Sequence, residues 1–211
     1  MEVRTICDLR AERERHEEPH PELPGANHHF WNYDAPASSN AAISTEITPG
    51  EMRDRLIGFY RQLPWTFAPQ FREVFVQVAG GRLPLVINCV AGKDRTGIAC
   101  ALLLGALGVP RPTVIEDYVL SERCVDYERA MVQPALANGR NNAAGFGLGN
   151  LSVEQRAPVL RSDPDYIASA LDAIDARHGS LHAYLDSALG VSEAMLADIR
   201  THLLEETENG E

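Results

Sequence analysis

The sequence predicts an α/β fold: a small, mostly parallel sheet flanked by helices, with a helical C-terminal portion. Three observations carry that expectation. Two short runs with strand character, VRTICDLR near the start and LPLVIN at residues 83–88, are separated by helical patterns. The second run leads at once into a glycine-bearing loop and then an apolar stretch with no polar face. From there to the end of the chain, apolar periodicity of helical type recurs behind N-cap residues.

Taken in order, VRTICDLR has the alternation and β-branching of a strand, and AERERHEEP is a charged helix stopped by Pro19. Residues 19–50 are rich in Pro, Gly, Asn and Ser, and read as a long connection with one strand near His29 to Tyr33. Thr48-Pro-Gly-Glu51 opens a helix with Thr48 as N-cap, Pro49 at the first helical position and Glu51 closing a capping box. Met52, Leu56, Phe59, Tyr60 and Leu63 share one face of it. Phe67 to Val78 repeats the pattern and ends at Gly80-Gly81.

LPLVIN is then a buried strand, and Thr96 to Leu107 a buried helix. One or two helices are expected across PRPTVIEDYVLSERCVDYERAMV. Residues 133–150, and Asn138 to Asn150 above all, form a Gly, Asn and Ala loop or lid. Asp163 caps a helix stopped by Gly179, and LHAYLDSALG and VSEAMLADIRTHLLEE supply two more. A single domain over 1–204 is expected, with a polar tail at 205–211.

Bulk properties narrow the function. The 211 residues carry a formal net charge of -11, which argues against nonspecific binding to nucleic acid, a task for clustered Lys and Arg. The longest apolar run, Ile98 to Val109, is too short to span a bilayer. No basic segment followed by an apolar one precedes the first strand, so no signal peptide is read. Cys7, Cys89, Cys100 and Cys124 show no zinc spacing, which fits a reducing, cytoplasmic setting.

The chemistry lies in Asn88-Cys89-Val-Ala-Gly-Lys-Asp-Arg-Thr-Gly97. A loop of this length wraps a tetrahedral oxyanion so that successive backbone amides point inward and the next helix adds its positive end. Cys89 then faces phosphorus, in a field that favours thiolate over thiol. Arg95 returns to clamp two oxygens. Thr96 offers a hydroxyl to the thiolate, Lys93 adds charge for a further phosphate group, and Asp94 can protonate a leaving oxygen.

This loop resembles the signature of the cysteine-dependent protein tyrosine phosphatase superfamily, in the Gly-Lys-Asp-Arg form of bacterial tyrosine/serine phosphatases, some of which also act on phosphoinositides. Asp8-Leu9-Arg10, TGIACALLLGALGVP with EDYVLSE, and the C-terminal helices are similar to that family too. The resemblance implies a nucleophile at Cys89, a phosphate clamp at Arg95, a general acid and base at Asp94, and phosphate contacts from Val90, Ala91, Gly92, Lys93 and Thr96. It implies no metal and no cofactor. The substrate would be a phosphorylated protein, a phosphoinositide or an inositol phosphate.

Two departures stand out. Asn88 takes the place of the usual histidine, and the chain begins at the Asp-Leu-Arg strand, leaving a sheet edge that a second copy could cover. Together they motivate an alternative, a catalytically weak module that binds a phosphorylated ligand. Sulfur transfer is a third reading, disfavoured by the Lys-Asp-Arg-Thr-Gly ending.

Competing readings of single residues are weaker. Asp34 is the rival acid. Asp8 and Arg10 pair with each other. His16-Glu-Glu-Pro-His20 matches a zinc-peptidase pattern, but Pro19 breaks the helix that pattern needs. Asp94 stands where a nucleotide loop requires Ser or Thr. Trp31, Tyr33, Trp65 and Phe67 read as packing aromatics, and Cys100 and Cys124 as buried packing residues.

Overall fold

The computed structural model describes residues 2–21, 23–33, 43–133 and 148–204. Its centre is a three-stranded, wholly parallel sheet of order β2-β1-β3. Strand β1 (Thr5–Asp8) is buried along its whole length, as a middle strand covered on both faces must be. Strand β2 (Asn27–Phe30) pairs Thr5 with Asn27 on one side, and β3 (Leu85–Asn88) pairs Thr5 with Leu85 and Asp8 with Asn88 on the other. The second strand starts two residues earlier than its sequence suggests. Its residues, NHHF, are largely exposed, so pairing with β1 and not apolar alternation sets its limits.

The charged helix α1 (Glu12–Glu17) follows β1 and buries none of its residues. Helix α2 (Pro49–Thr66) begins with the expected capping box, Thr48 accepting from the Glu51 amide, and buries Met52, Leu56, Tyr60 and Leu63. Helix α3 (Ala68–Ala79) follows almost without a break and lays Phe71, Val74, Phe75 and Val78 into the core. After β3 come α4 (Asp94–Ala106) and α5 (Arg111–Cys124), then a π-helical turn (Glu128–Val132) and a 3-10 turn (Leu148–Asn150).

The C-terminal portion is helical. It comprises α6 (Val153–Leu160), α7 (Pro164–His178), α8 (Leu181–Ser187) and α9 (Glu193–Leu203). Asp163 caps α7, and Gly179 ends it at φ 81°, the left-handed turn that glycine adopts without penalty. Helix α7 packs on α2 and α5, and α9 on α3, so α4 is enclosed between the sheet and the helical layer. The α/β class is as expected.

Two details differ from the sequence reading. Helix α6 is not among the expected elements; Ser152 and Gln155 form a capping box at its start, and it continues through Pro158. Cys124 is exposed at the end of α5. The expected lid and Asp34 lie largely or wholly outside the described residues.

Candidate active site

The loop from Cys89 to Lys93 leaves β3 at its carboxyl end and turns into α4. Gly92 makes that turn possible at φ 64°, and no atom lies within 4 Å of where its Cβ would stand, so the space over the loop is open. No side chain caps the start of α4, which leaves its first amides for an anion. Cys89 is 7% exposed at the base of this turn. The Thr96 hydroxyl is buried without a protein partner.

Arg95 is oriented by Glu14. Its Nη1 donates to Glu14 Oε2 at 2.7 Å and its Nη2 to Oε1 at 2.9 Å, an end-on bidentate pair. Nη1 also donates to the Leu9 carbonyl at 2.9 Å and to the Tyr33 hydroxyl at 3.0 Å. These bonds occupy the end of the guanidinium. Its side, Nε–H with the remaining Nη2 hydrogen, has no hydrogen-bond partner among the described residues and is the fork that an oxyanion would accept from. Burial works against the Arg95 charge, but Cys89 and Glu14 reverse the effect and hold its pKa above the ordinary range.

Asp94 opens α4. Its Oδ1 accepts from Tyr60 Oη at 2.5 Å, and Tyr60 Oη lies 2.5 Å from Tyr118 Oη. Lys93 Nζ is 3.6 Å from the same Oδ1. Lys93 was expected to meet a second phosphate; instead it is 2% exposed, its ammonium donating to the carbonyls of Val159 and Arg161 (3.1 Å to the latter). Tyr127 covers it, ring centroid 5.4 Å from Nζ, beside a cleft of about 280 Å³ that Arg161 and Glu122 also line. None of the residues from Cys89 to Thr96 lines this cleft.

Asn88, next to Cys89, donates from Nδ2 to Asp8 Oδ1 at 3.1 Å. Asp8 is held in turn by Arg10 through both oxygens, at 2.9 and 2.8 Å. The loop is therefore anchored to the middle strand. Helix α1 ends at Glu17, so His16 and His20 share no helix face, and His20 sits 3.4 Å from Asp8.

The structure thus gathers Cys89, Asp94, Arg95, Gly92, Thr96 and the loop amides at one helix start. Sequence reasoning missed Glu14, and took Tyr60 and Tyr33 for packing only. Nothing in AERERHEEP separates Glu14 from its neighbours.

A family model described as the tyrosine phosphatase family matches residues 1–205. The chain belongs to the tyrosine phosphatase family. A Cupriavidus necator protein named as a tyrosine-protein phosphatase is 34% identical over 158 residues, 74% of this chain and 52% of that protein. The triple specificity protein phosphatase PtpB of Mycobacterium tuberculosis is 33% identical over 148 residues, 69% of this chain and 53% of its own. A tyrosine-protein phosphatase of Nostoc commune is 30% identical over 64% of this chain and 44% of its own length. This tyrosine phosphatase family chain spans about half the length of the curated relatives it matches.

Proposed function

We propose that the protein is a cysteine-dependent phosphatase that hydrolyses phosphate monoesters through a phosphocysteine. The observation that carries the reading is Arg95: Glu14 takes the end of its guanidinium, and the side fork has no partner among the described residues and lies on the first turn of α4, whose start no side chain caps. In the first step the Cys89 thiolate attacks phosphorus. The S–P bond forms as the P–O bond to the leaving group breaks, and Asp94 gives a proton to the departing oxygen. Water then attacks the phosphocysteine, its proton passes to Asp94, and inorganic phosphate leaves as the thiolate is restored. The amides of Val90, Ala91 and Gly92 and the Thr96 hydroxyl hold the equatorial oxygens, with Arg95 spanning two of them.

Steady-state hydrolysis of p-nitrophenyl phosphate tests this, with mass spectrometry for a trapped phosphocysteine. Cys89→Ser is expected to abolish turnover, and Asp94→Asn to lower hydrolysis of phenyl phosphate, whose leaving group needs a proton, about 10²-fold or more. Turnover that survives in Cys89→Ser would overturn the mechanism. A second reading, binding without turnover, draws on Asn88, whose amide is committed to Asp8. It predicts phosphate binding by calorimetry and no product from any ester.

The substrates proposed are phosphotyrosine or phosphoserine in proteins, or phosphoinositides, and a panel with matched rates separates them. No helix among the described residues is long and apolar enough to cross a membrane. The four thiols are unpaired, which supports a reducing, cytoplasmic setting. The strand expected to leave an edge, β1, lies in the middle of the sheet, so a second copy covering a sheet edge would have to pair with an outer strand, β2 or β3, and sedimentation reads out whether the protein is a dimer.

A further inference from the structure

We infer that Tyr60 and Tyr118 are positioning residues for the reaction, a buried hydroxyl pair that fixes Asp94 so that its Oδ2 presents the proton to the leaving group. The inference rests on the phosphatase reading above and adds two residues to it.

The argument starts from the cost of burial. Tyr60 is 0% and Tyr118 4% exposed, and the Tyr166 ring packs against Tyr60 at 5.3 Å with a 34° tilt, so packing alone would be served as well by phenylalanine. A buried hydroxyl is expensive unless it is bonded. Both are bonded here, in a chain that ends on Asp94 Oδ1. A carboxylate oxygen only accepts, so Tyr60 donates to it. Tyr60 has one hydrogen, and its oxygen is therefore left to accept from Tyr118. The order of donors is Tyr118, Tyr60, Asp94, and each bond polarises the next.

The consequence concerns which oxygen carries the proton. Oδ1 receives the Tyr60 hydroxyl and faces the Lys93 ammonium at 3.6 Å, both of them donors. A proton placed there would oppose both. Oδ2 has no partner among the described residues, so the proton to be given away, and later recovered from water, resides on Oδ2. The carboxyl is also locked in rotation. A general acid acts only when its proton points along the breaking bond, and small misplacement is costly.

The pair comes from different helices, α2 and α5, both pressed on α4. Gly97, one turn into α4, admits the Tyr118 ring: a Cβ there would stand 2.8 Å from Cδ2. Glycine at that point lets the outer hydroxyl reach the inner one.

The test compares kcat/KM for phenyl phosphate and p-nitrophenyl phosphate, a poor and a good leaving group, in the full chain. Only the poor one depends strongly on a proton donor. Asp94→Asn is expected to widen the ratio between the two most. Tyr60→Phe is expected to lower the phenyl phosphate rate about tenfold and the p-nitrophenyl phosphate rate about twofold or less. Tyr60→Phe added to Asp94→Asn is expected to cause no further loss on either substrate.

Equal losses on both substrates in Tyr60→Phe, or losses that add to those of Asp94→Asn, would show a structural role and overturn the inference. If Tyr60→Phe does not fold, Tyr118→Phe reads the same ratio through the outer hydroxyl, and an unchanged ratio there overturns it. Failure of the parent reading looks different. Wild type without turnover, or Cys89→Ser with it, removes the phosphatase mechanism and the pair's role together. A flat ratio in Asp94→Asn leaves the nucleophile standing and removes the acid along with the residues said to position it.

Discussion

Arg95 and Glu14 stand 81 positions apart and meet as a bidentate pair at 2.7 and 2.9 Å. Replacing Glu14 by Ala leaves a largely buried guanidinium with neutral acceptors only, the Leu9 carbonyl and the Tyr33 hydroxyl. The expected cost is about 2–3 kcal/mol, read as a lower urea midpoint at constant m-value. Saturating phosphate should narrow that gap, because the anion replaces the missing carboxylate and binds only the folded chain. A gap indifferent to phosphate would mean that Arg95 does not face the anion. Lys93→Met tests another charge. It keeps the apolar stem but strands the carbonyls of Val159 and Arg161, with an expected loss of about 2 kcal/mol in the same assay. Equal falls in kcat/KM on singly and doubly phosphorylated substrates are expected if the ammonium only anchors the loop; a selective fall on the doubly phosphorylated one would place it at a second phosphate. At this scale the sequence is readable where function demands fixed spacing, as from Cys89 to Arg95. Glu14 is unreadable because its partner is distant, and a carboxylate on a short charged helix looks solvated.

Helix α4 offers two glycines with opposite expected outcomes. A Cβ on Gly105 would lie 2.2 Å from Leu181 Cδ2, and one on Gly97 would lie 2.8 Å from Tyr118 Cδ2. Distance alone ranks Gly105 as the worse site, but the neighbours decide. Leu181 ends in a methyl group that can rotate away, whereas Tyr118 is a buried ring pinned through its hydroxyl. Gly105→Ala is therefore expected to be within about 1 kcal/mol of neutral, helix propensity offsetting the adjustment. Gly97→Ala is expected to destabilise by about 1–3 kcal/mol in thermal or urea unfolding. The reverse order would mean that the α4–α5 contact yields more easily than its geometry implies. Elements with strong local signals, such as α2 with its box at Thr48 and Glu51 or α7 between Asp163 and Gly179, are legible in sequence because their ends are made by nearby residues. Strand β2 and helix α6 are not. The first owes its register to β1, and the second runs through a proline.

For the molecule as a whole, the buried titratable groups predict a stability that falls on both sides of neutrality. Burial alone would raise the Asp8 pKa, but hydrogen bonds from Arg10 outweigh it and hold it below the ordinary value; Arg53 does the same for Asp163. A depressed carboxyl contributes stability that is present above the unfolded pKa of about 3.9 and lost as pH falls through the folded one. Unfolded chains bind more protons in that range, so the fold weakens in acid. The alkaline side has the opposite origin. Burial, with Glu73 adding to it, pushes the Cys7 thiol up to about 12, and burial raises Tyr33 to about 12 against the pull of Arg95. Stability from these groups is complete below their unfolded values, about 8.5 for the thiol and 10 for the phenol, and is lost as pH rises toward 12. Urea midpoints measured from pH 3 to 11, the span these ordinary values set, should therefore form a plateau with two flanks. Asp8→Asn is expected to lower the plateau and flatten the acid flank. Cys7→Ala is expected to flatten the alkaline flank, beginning above about pH 8.5, and to leave the acid one alone. An alkaline flank unchanged in Cys7→Ala would mean that the thiol ionises in place without opening the sheet, contrary to its complete burial on the middle strand β1.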